Sequence, residues 1–321
     1  MGFTFRPATR ENVPLLIGLS GGTGSGKTYT AMRLAKGIAG DRPFAVIDTE
    51  ASRARAYADA FQFDHGDLTP PFTSQRYGDA IKAADDAHYP VIVVDSMSHE
   101  YAGDGGTLDQ QEAELERMAG DDFKRREACK MASWIKPKMA HKQFVQRLLQ
   151  LRAHLILCFR AEPKIEMVRG EGGRMEIREK QSLTGLNGWI PVCEKNLPYE
   201  LTASFLLMAD KPGVPLPIKL QAQHRDLFPL DQPITEASGA RLAEWAAGAP
   251  PDWAKRIAAA PSAAALQQIV RDLDAVKTSL TKETLATLKA HIKDRSNALT
   301  ATGKKKAAAP VTAGDLNWGR P

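Results

Sequence analysis

The chain has 321 residues, 43% of them hydrophobic and 25% charged, which is enough for a large core and excludes a disordered or fibrous protein. Its longest apolar stretches, Leu15 to Leu19, Val91 to Val94 and Leu155 to Phe159, fall far short of the roughly 20 residues that cross a bilayer. The net charge of +5 is uneven: from Pro250 onward 12 Lys and Arg stand against 6 Asp and Glu, an asymmetry that a nucleic-acid partner or solvated helix faces would equally explain.

Met1 to Pro7 lacks the apolar core of a signal peptide, so a cytoplasmic protein with no membrane partner is expected. Predicted strands follow at Leu15 to Leu19, Phe44 to Asp48, Val91 to Asp95, His154 to Phe159, Tyr199 to Met208 and Pro217 to Gln221. Helices fit between them at Tyr29 to Ile38, Ser74 to Ala87 and Lys138 to Leu151, the alternation of an α/β fold with a mostly parallel sheet. The polar stretch from His99 to Ile135 is too long for an ordinary connection and is either a mobile loop or an inserted helix. Lys164 to Val168 and Met175 to Glu179 alternate apolar with charged residues around Gly170-Glu171-Gly172-Gly173, which predicts a projecting β-hairpin.

A helix ending near Trp245 meets the break Gly248-Ala249-Pro250-Pro251, and short helices follow at Trp253 to Ala259, Ala263 to Val276 and Lys282 to Asn297. The expected organisation is a core over residues 1–249, a helical C-terminal region over 250–299 and a disordered tail over 300–321. Cys129, Cys158 and Cys193 are odd in number and have no CxxC spacing, so they read as reduced thiols.

Gly21-Gly22-Thr23-Gly24-Ser25-Gly26-Lys27-Thr28 matches the phosphate-binding pattern G-x-x-x-x-G-K-[ST] between a predicted strand and a predicted helix. Glycines let backbone N–H groups approach phosphate oxygens, Lys27 neutralises the β- and γ-phosphates of ATP, and the Thr28 hydroxyl suits Mg²⁺. Asp95, ending the apolar run Val91 to Val94, is the expected second carboxylate on the magnesium side. Glu50, just beyond the strand Phe44 to Asp48, should stand near the phosphate end of the sheet, where a carboxylate can orient or deprotonate the attacking water. The other reading of Glu50 is a carboxylate at a helix start, held by the helix dipole.

Val46-Ile47-Asp48-Thr49-Glu50, one element after the P-loop, and then Val91-Ile92-Val93-Val94-Asp95-Ser96, resemble the ATPase core of RecA-type recombinases. Over about residues 3 to 247 the chain is similar to phage-encoded AAA-family ATPases with that RecA-like core, through Phe3-Thr4-Phe5, Gly24 to Tyr29 and Asp95-Ser96-Met97-Ser98-His99-Glu100. The resemblance implies an oligomeric, Mg²⁺-dependent ATPase of bacteriophage or prophage origin, acting on single-stranded DNA in recombination, annealing or replication. It implies that Gly21 to Thr28 hold the phosphates, Asp95 the magnesium water shell and Glu50 the attacking water. Where such proteins carry an amide side chain that senses the γ-phosphate, this chain has Arg160, which either acts as an internal cationic finger or pairs with Glu162.

The resemblance also directs attention to the loops Gly103 to Ile135 and Pro163 to Leu183 for single-strand contact, although Lys164, Arg169, Arg174, Arg178 and Lys180 are nearly cancelled by Glu166, Glu171, Glu176 and Glu179. Trp134 and Trp189 are the nearest stacking candidates, residues of a kind that more often serve as core or packing residues than as platforms. Phe5-Arg6-Pro7-Ala8 fits a Phe-x-x-Ala pattern by which recombinases dock onto a neighbour, or is an ordinary strand. The segment Lys219 to Phe228 resembles one that extends a cation to the neighbour's γ-phosphate, with Arg225 the better candidate, unless Arg225 pairs with Asp226 or Asp231. Two other classes remain open: a non-catalytic ATP-gated assembly module, and a P-loop small-molecule kinase, against which the position of Glu50 argues.

Overall fold

A computed structural model of the chain describes residues 12–170, 174–179, 188–248, 253–276 and 281–302. Phe5 to Ala8, most of the hairpin tip, the Ala249–Pro251 break and most of the predicted tail, from residue 303 on, lie outside the described residues. The chain divides into two compact units, Met1–Gly248 and Ala249–Pro321.

In the first unit the chain runs β1 (Leu16–Gly21), α1 (Lys27–Ala39), β2 (Phe44–Asp48), β3 (Phe63–Asp67), α2 (Ser74–Asp86) and β4 (Val91–Asp95). There follow α3 (Ser98–Ala102), α4 (Thr107–Ala119), α5 (Phe123–Cys129), α6 (Ile135–Leu148), β5 (His154–Pro163), β6 (Ile165–Arg169), β7 (Met175–Glu179) and β8 (Trp189–Pro191). The unit ends with α7 (Leu197–Glu200), β9 (Ala203–Met208), β10 (Lys211–Lys219) and α8 (Glu236–Ala247).

The central sheet has the order β10-β9-β1-β5-β4-β2-β3, and β8 pairs with the far end of β5. Its ladders are parallel except those of β10 on β9 and β8 on β5. The mostly parallel sheet expected from the strand–helix alternation is therefore present, with β5 inserted between the P-loop strand β1 and the Asp95 strand β4.

Side chains alternate between two apolar layers, because successive Cβ atoms of a strand point to opposite faces. Ile17, Leu19, Val46, Val93, Ile156 and Phe205 pack with Met32, Leu34 and Ile38 of α1 and Leu242 of α8. Leu16, Ile47, Ile92, Val94, Leu155 and Leu157 pack with Tyr77 and Ile81 of α2 and Phe144 of α6. α1 and α8 approach so closely that a Cβ on Gly37 would lie 2.7 Å from the Glu236 carbonyl carbon.

Of the two readings of the stretch from His99 to Ile135, the inserted helix holds, as α3, α4, α5 and a short 3-10 turn. Other expectations are corrected or extended. Asp122 caps α5 by accepting from Arg125 N at 2.9 Å, and Arg126 ties α5 to Glu116 of α4 at 2.8 Å, so local caps and ion pairs organise a polar segment. β3 was not anticipated: Phe63-Asp64-His65-Gly66-Asp67 is a polar edge strand without an apolar run. The predicted strand from Tyr199 begins at Ala203, after α7 with its Pro198 near the helix start. The predicted strand Pro217 to Gln221 is the longer β10, Lys211–Lys219, whose Pro212, Pro215 and Pro217 are tolerated because it is an edge strand.

Among the described residues the hairpin is β6 paired with β7 in a two-stranded sheet of its own, with Glu166 opposite Arg178, Arg169 opposite Met175 and Glu179 opposite Ile165 in register. Ile165, Met167, Met175 and Ile177 are exposed.

In the second unit, α9 (Trp253–Ala259), α10 (Ala263–Val276) and α11 (Lys282–Thr302) bury Trp253, Ile257, Leu266, Val270, Leu273, Leu288 and Ile292 in a small core of their own. Among the described residues no helix is long and apolar enough to cross a membrane.

Candidate nucleotide site

The P-loop leaves the carboxyl end of β1, a fully buried strand, and ends at the first turn of α1. Gly24 and Gly26 have φ of 76° and 81°, the left-handed region that side chains avoid. Gly21 is held close: a Cβ there would lie 2.5 Å from the Leu207 carbonyl oxygen of β9. Ser25 Oγ donates to the Gly22 carbonyl at 2.8 Å, and Gly213 N of β10 donates to the Ser25 carbonyl at 3.1 Å, fixing the loop from within and from the sheet.

Lys27 Nζ donates to the Gly22 carbonyl at 2.9 Å and so spans the loop it belongs to. Thr28 donates its hydroxyl hydrogen bond to the Asp95 carboxylate. Asp95 ends β4, is buried, and its carboxyl is pushed up to about 6 by burial, which the Thr28 hydrogen bond only partly offsets. Glycine-made concavity, an internal cation and a paired hydroxyl and carboxylate fit a nucleotide triphosphate with Mg²⁺, since that cation takes oxygen ligands.

Glu50 lies two residues beyond β2, whose Asp48 is the sheet partner of Asp95. Asp48 shapes that turn by accepting from Glu50 N at 2.6 Å and Ala54 N at 2.8 Å. Thr49 ties it to the loop after β4: its hydroxyl accepts from Ser96 N at 2.8 Å and contacts His99 Nδ1 at 2.8 Å. The His99 ring stacks on Phe72 with centroids 4.9 Å apart. Burial, and then the charge of Arg160, hold its pKa below the ordinary histidine value.

Arg160 is the sheet partner of Gly21 and pairs with Glu50, not with Glu162. Its Nη2 and Nε reach Glu50 Oε1 at 2.7 and 3.1 Å, and Arg53 adds a longer contact to Oε2 at 3.3 Å. Burial raises the Glu50 pKa, but the Arg160 hydrogen bond and charge outweigh it and leave this carboxyl below its ordinary range.

The fold thus brings together Gly21 to Thr28, Asp95, Glu50 and Arg160. Arg225 is elsewhere. It is exposed in a 3-10 turn, Ala222–Leu227, that follows β10, and because β10 runs antiparallel to β9 this turn lies at the opposite edge of the sheet from the P-loop. Trp134 is half-buried, with Lys138 Nζ 5.6 Å from its ring centroid. Trp189 packs against the P-loop, its ring 3.4 Å from where a Cβ on Gly22 would stand. Its role as a P-loop neighbour had no signal in the sequence, and those of Thr49 and His99 had none beyond proximity to Glu50 and Asp95.

The family described as "AAA domain" matches residues 14–190, more than half of the chain and all of the P-loop, Asp95, Glu50 and Arg160. The chain belongs to that family. Membership in this AAA-type P-loop family carries nucleotide binding and ATPase activity as the general property of the group. No curated protein matches the chain.

Proposed function

We propose that this AAA-domain protein hydrolyses Mg²⁺-bound ATP with Glu50 as the base, and uses that turnover on single-stranded DNA in phage or prophage recombination, annealing or replication. One observation carries the hydrolytic part: a carboxylate outside the metal pair, Glu50, stands one strand beyond Asp95 on the same sheet edge as the P-loop. Gly21 to Thr28 bind the phosphates through backbone N–H groups and Lys27, while Thr28 and Asp95 hold Mg²⁺. When bound, Mg²⁺ screens the phosphate charge against the incoming oxygen. Glu50 accepts the proton of the attacking water.

The DNA part is supported by the resemblance of Val46 to Glu50 and Val91 to Ser96 to RecA-type recombinases. It is supported further by the hairpin β6–β7, which continues from the strand bearing Arg160 and offers exposed Ile165, Met167, Met175 and Ile177 as apolar surface for bases. A homo-oligomer with Arg225 acting on a neighbour's nucleotide belongs to the same proposal, because Arg225 lies away from its own P-loop.

Steady-state ATP turnover with and without single-stranded DNA at low salt, in wild type and Glu50→Gln, tests this. The expected result is DNA-stimulated turnover that falls by about 10²–10⁴-fold in Glu50→Gln while nucleotide binding is kept. Normal turnover in the variant removes Glu50 as base. Turnover indifferent to DNA removes the DNA role, and ATP binding without turnover leaves an ATP-gated assembly module.

A further inference from the structure

The second unit carries a groove that its own core does not fill. Trp253 and Ile257 of α9 and Leu288 and Ile292 of α11 share that core. Beside it a groove of about 550 Å³ opens between the two helices, lined by Ala254, Ile257, Ala258 and Ala298 and bordered by the charges of Lys255, Asp294 and Arg295. Ala258 and Ala298 are both exposed, and their short side chains leave the depth that longer ones would cover. Arg295 is fixed at the border, since its Nε and Nη2 donate to the Ala260 carbonyl at 3.1 and 2.7 Å. Along α11 the groove runs from His291 to Ala298, about 10 Å at the helical rise of 1.5 Å per residue.

The sequence that follows α11 contains an occupant of matching chemistry. From residue 303 on it consists of small residues, lysines and prolines until Asp315-Leu316-Asn317-Trp318, and prolines apart only Val311, Leu316 and Trp318 there are apolar and larger than alanine. In an extended segment alternate residues share a side, so Leu316 and Trp318 would stand together about 7 Å apart, a spacing that fits a groove about 10 Å long. The charges are complementary as well: Asp315 precedes Leu316 and suits Lys255 and Arg295, while Arg320 suits Asp294. Thr302 ends α11, and Trp318 lies 318 − 302 = 16 residues beyond it, up to about 55 Å of chain. His291, at the far end of the groove, is only 302 − 291 = 11 helical residues back, about 16 Å. We propose that the groove between α9 and α11 binds the Asp315–Trp318 segment of its own chain, with Leu316 and Trp318 as the anchors. A tether of this length holds the segment at an effective concentration on the order of millimolar, so even a small site stays occupied. Trp is the side chain best suited to dominate so small a contact.

The probe is a fluorescein-labelled peptide of residues 311–321, titrated by anisotropy against the full chain in three forms. These are wild type, the double variant Leu316→Ala with Trp318→Ala, and that double variant carrying Ala258→Gln. Ala258 is exposed on α9, so glutamine fills the groove and leaves the core intact, which an unchanged melting temperature checks. Ala298→Gln, on the other helix, is the independent second variant. The expected result is that the double variant binds the probe about tenfold or more tightly than wild type, whose own segment competes, and that either glutamine removes this gain. A probe carrying Trp318→Ala should bind none of the forms. Absence of binding to the double variant overturns the docking. Equal binding to wild type and double variant does so too, because the chain's own segment is then not in the groove, and binding indifferent to both glutamines puts the contact elsewhere. Competition by wild type that strengthens with protein concentration gives the segment to a neighbouring copy and overturns the assignment within one chain.

Discussion

The Thr28 hydroxyl donates to the Asp95 carboxylate across the floor of the P-loop, joining the first turn of α1 to the end of β4, although β5 separates β4 from β1 in the sheet. The bond holds a hydroxyl and a carboxylate together in a buried place where, among the described residues, no cation forms an ion pair with Asp95. Asp95→Asn should therefore abolish the Mg²⁺ dependence of ATP binding while leaving the protein folded, because the amide keeps the hydrogen bond and loses the charge the metal needs. Titration of Mg²⁺ against a nucleotide-loaded sample checks it. An unchanged magnesium midpoint would place the metal elsewhere.

Lys27 Nζ is directed across its own loop to the Gly22 carbonyl. Lys27→Ala should lower ATP affinity by about 10²-fold or more, since about 2.7 kcal/mol or more is lost when a desolvated phosphate cation is removed. Because Trp189 packs on Gly22, its fluorescence should report nucleotide binding in wild type and fail to respond at the same ATP concentration in Lys27→Ala. A normal response in the variant would contradict the assignment of the lysine.

Gly37→Ala should destabilise the first unit by roughly 1–3 kcal/mol, the cost of overpacking a core contact. The added methyl would meet the Glu236 backbone, with the carbonyl carbon at 2.7 Å, where α1 and α8 touch. On an open helix face the same change stabilises by about 1 kcal/mol, so the sign alone decides. Denaturant unfolding of the variant is the measurement.

The buried pair His141 and Glu100 should make stability depend on pH. Burial alone would lower the His141 pKa, but its hydrogen bond to Glu100 at 3.0 Å and the charge of Glu100 prevail and raise it above the ordinary 6.5. A raised folded-state pKa gives a contribution fully present below about 6.5 and lost as pH climbs through the folded value. Wild-type melting temperature should fall across that window, and His141→Gln should be flat there and less stable at pH 6. His99 and His154, whose pKa values burial lowers, act below 6.5 and do not blur the comparison. Parallel melting curves for the two proteins from pH 6 to 9 would contradict it.

The phosphate loop was legible in the sequence because its chemistry is local: eight consecutive residues, Gly21 to Thr28, carry the glycines, the cation and the hydroxyl between a strand and a helix. Asp95 was legible for a similar reason, as the polar end of the run Val91 to Val94, which only a buried strand explains. The parallel sheet and its helices followed from the same apolar periodicity. β3 escaped because an edge strand needs no apolar run, and the α3–α5 insertion was ambiguous because its helices are held by caps and ion pairs instead of a strong apolar stripe. What only the tertiary structure decided is who meets whom across long separations. Arg160 faces Glu50, 110 positions away, in preference to its neighbour Glu162, because the strand order leaves only β4 between the end of β5 and the turn after β2. Arg225 is remote from its own nucleotide site because β10 alone reverses direction at that edge. Sequence spacing determines which groups a short segment can present, whereas pairing between segments is set by strand order and direction, which arise from burying the whole sheet at once.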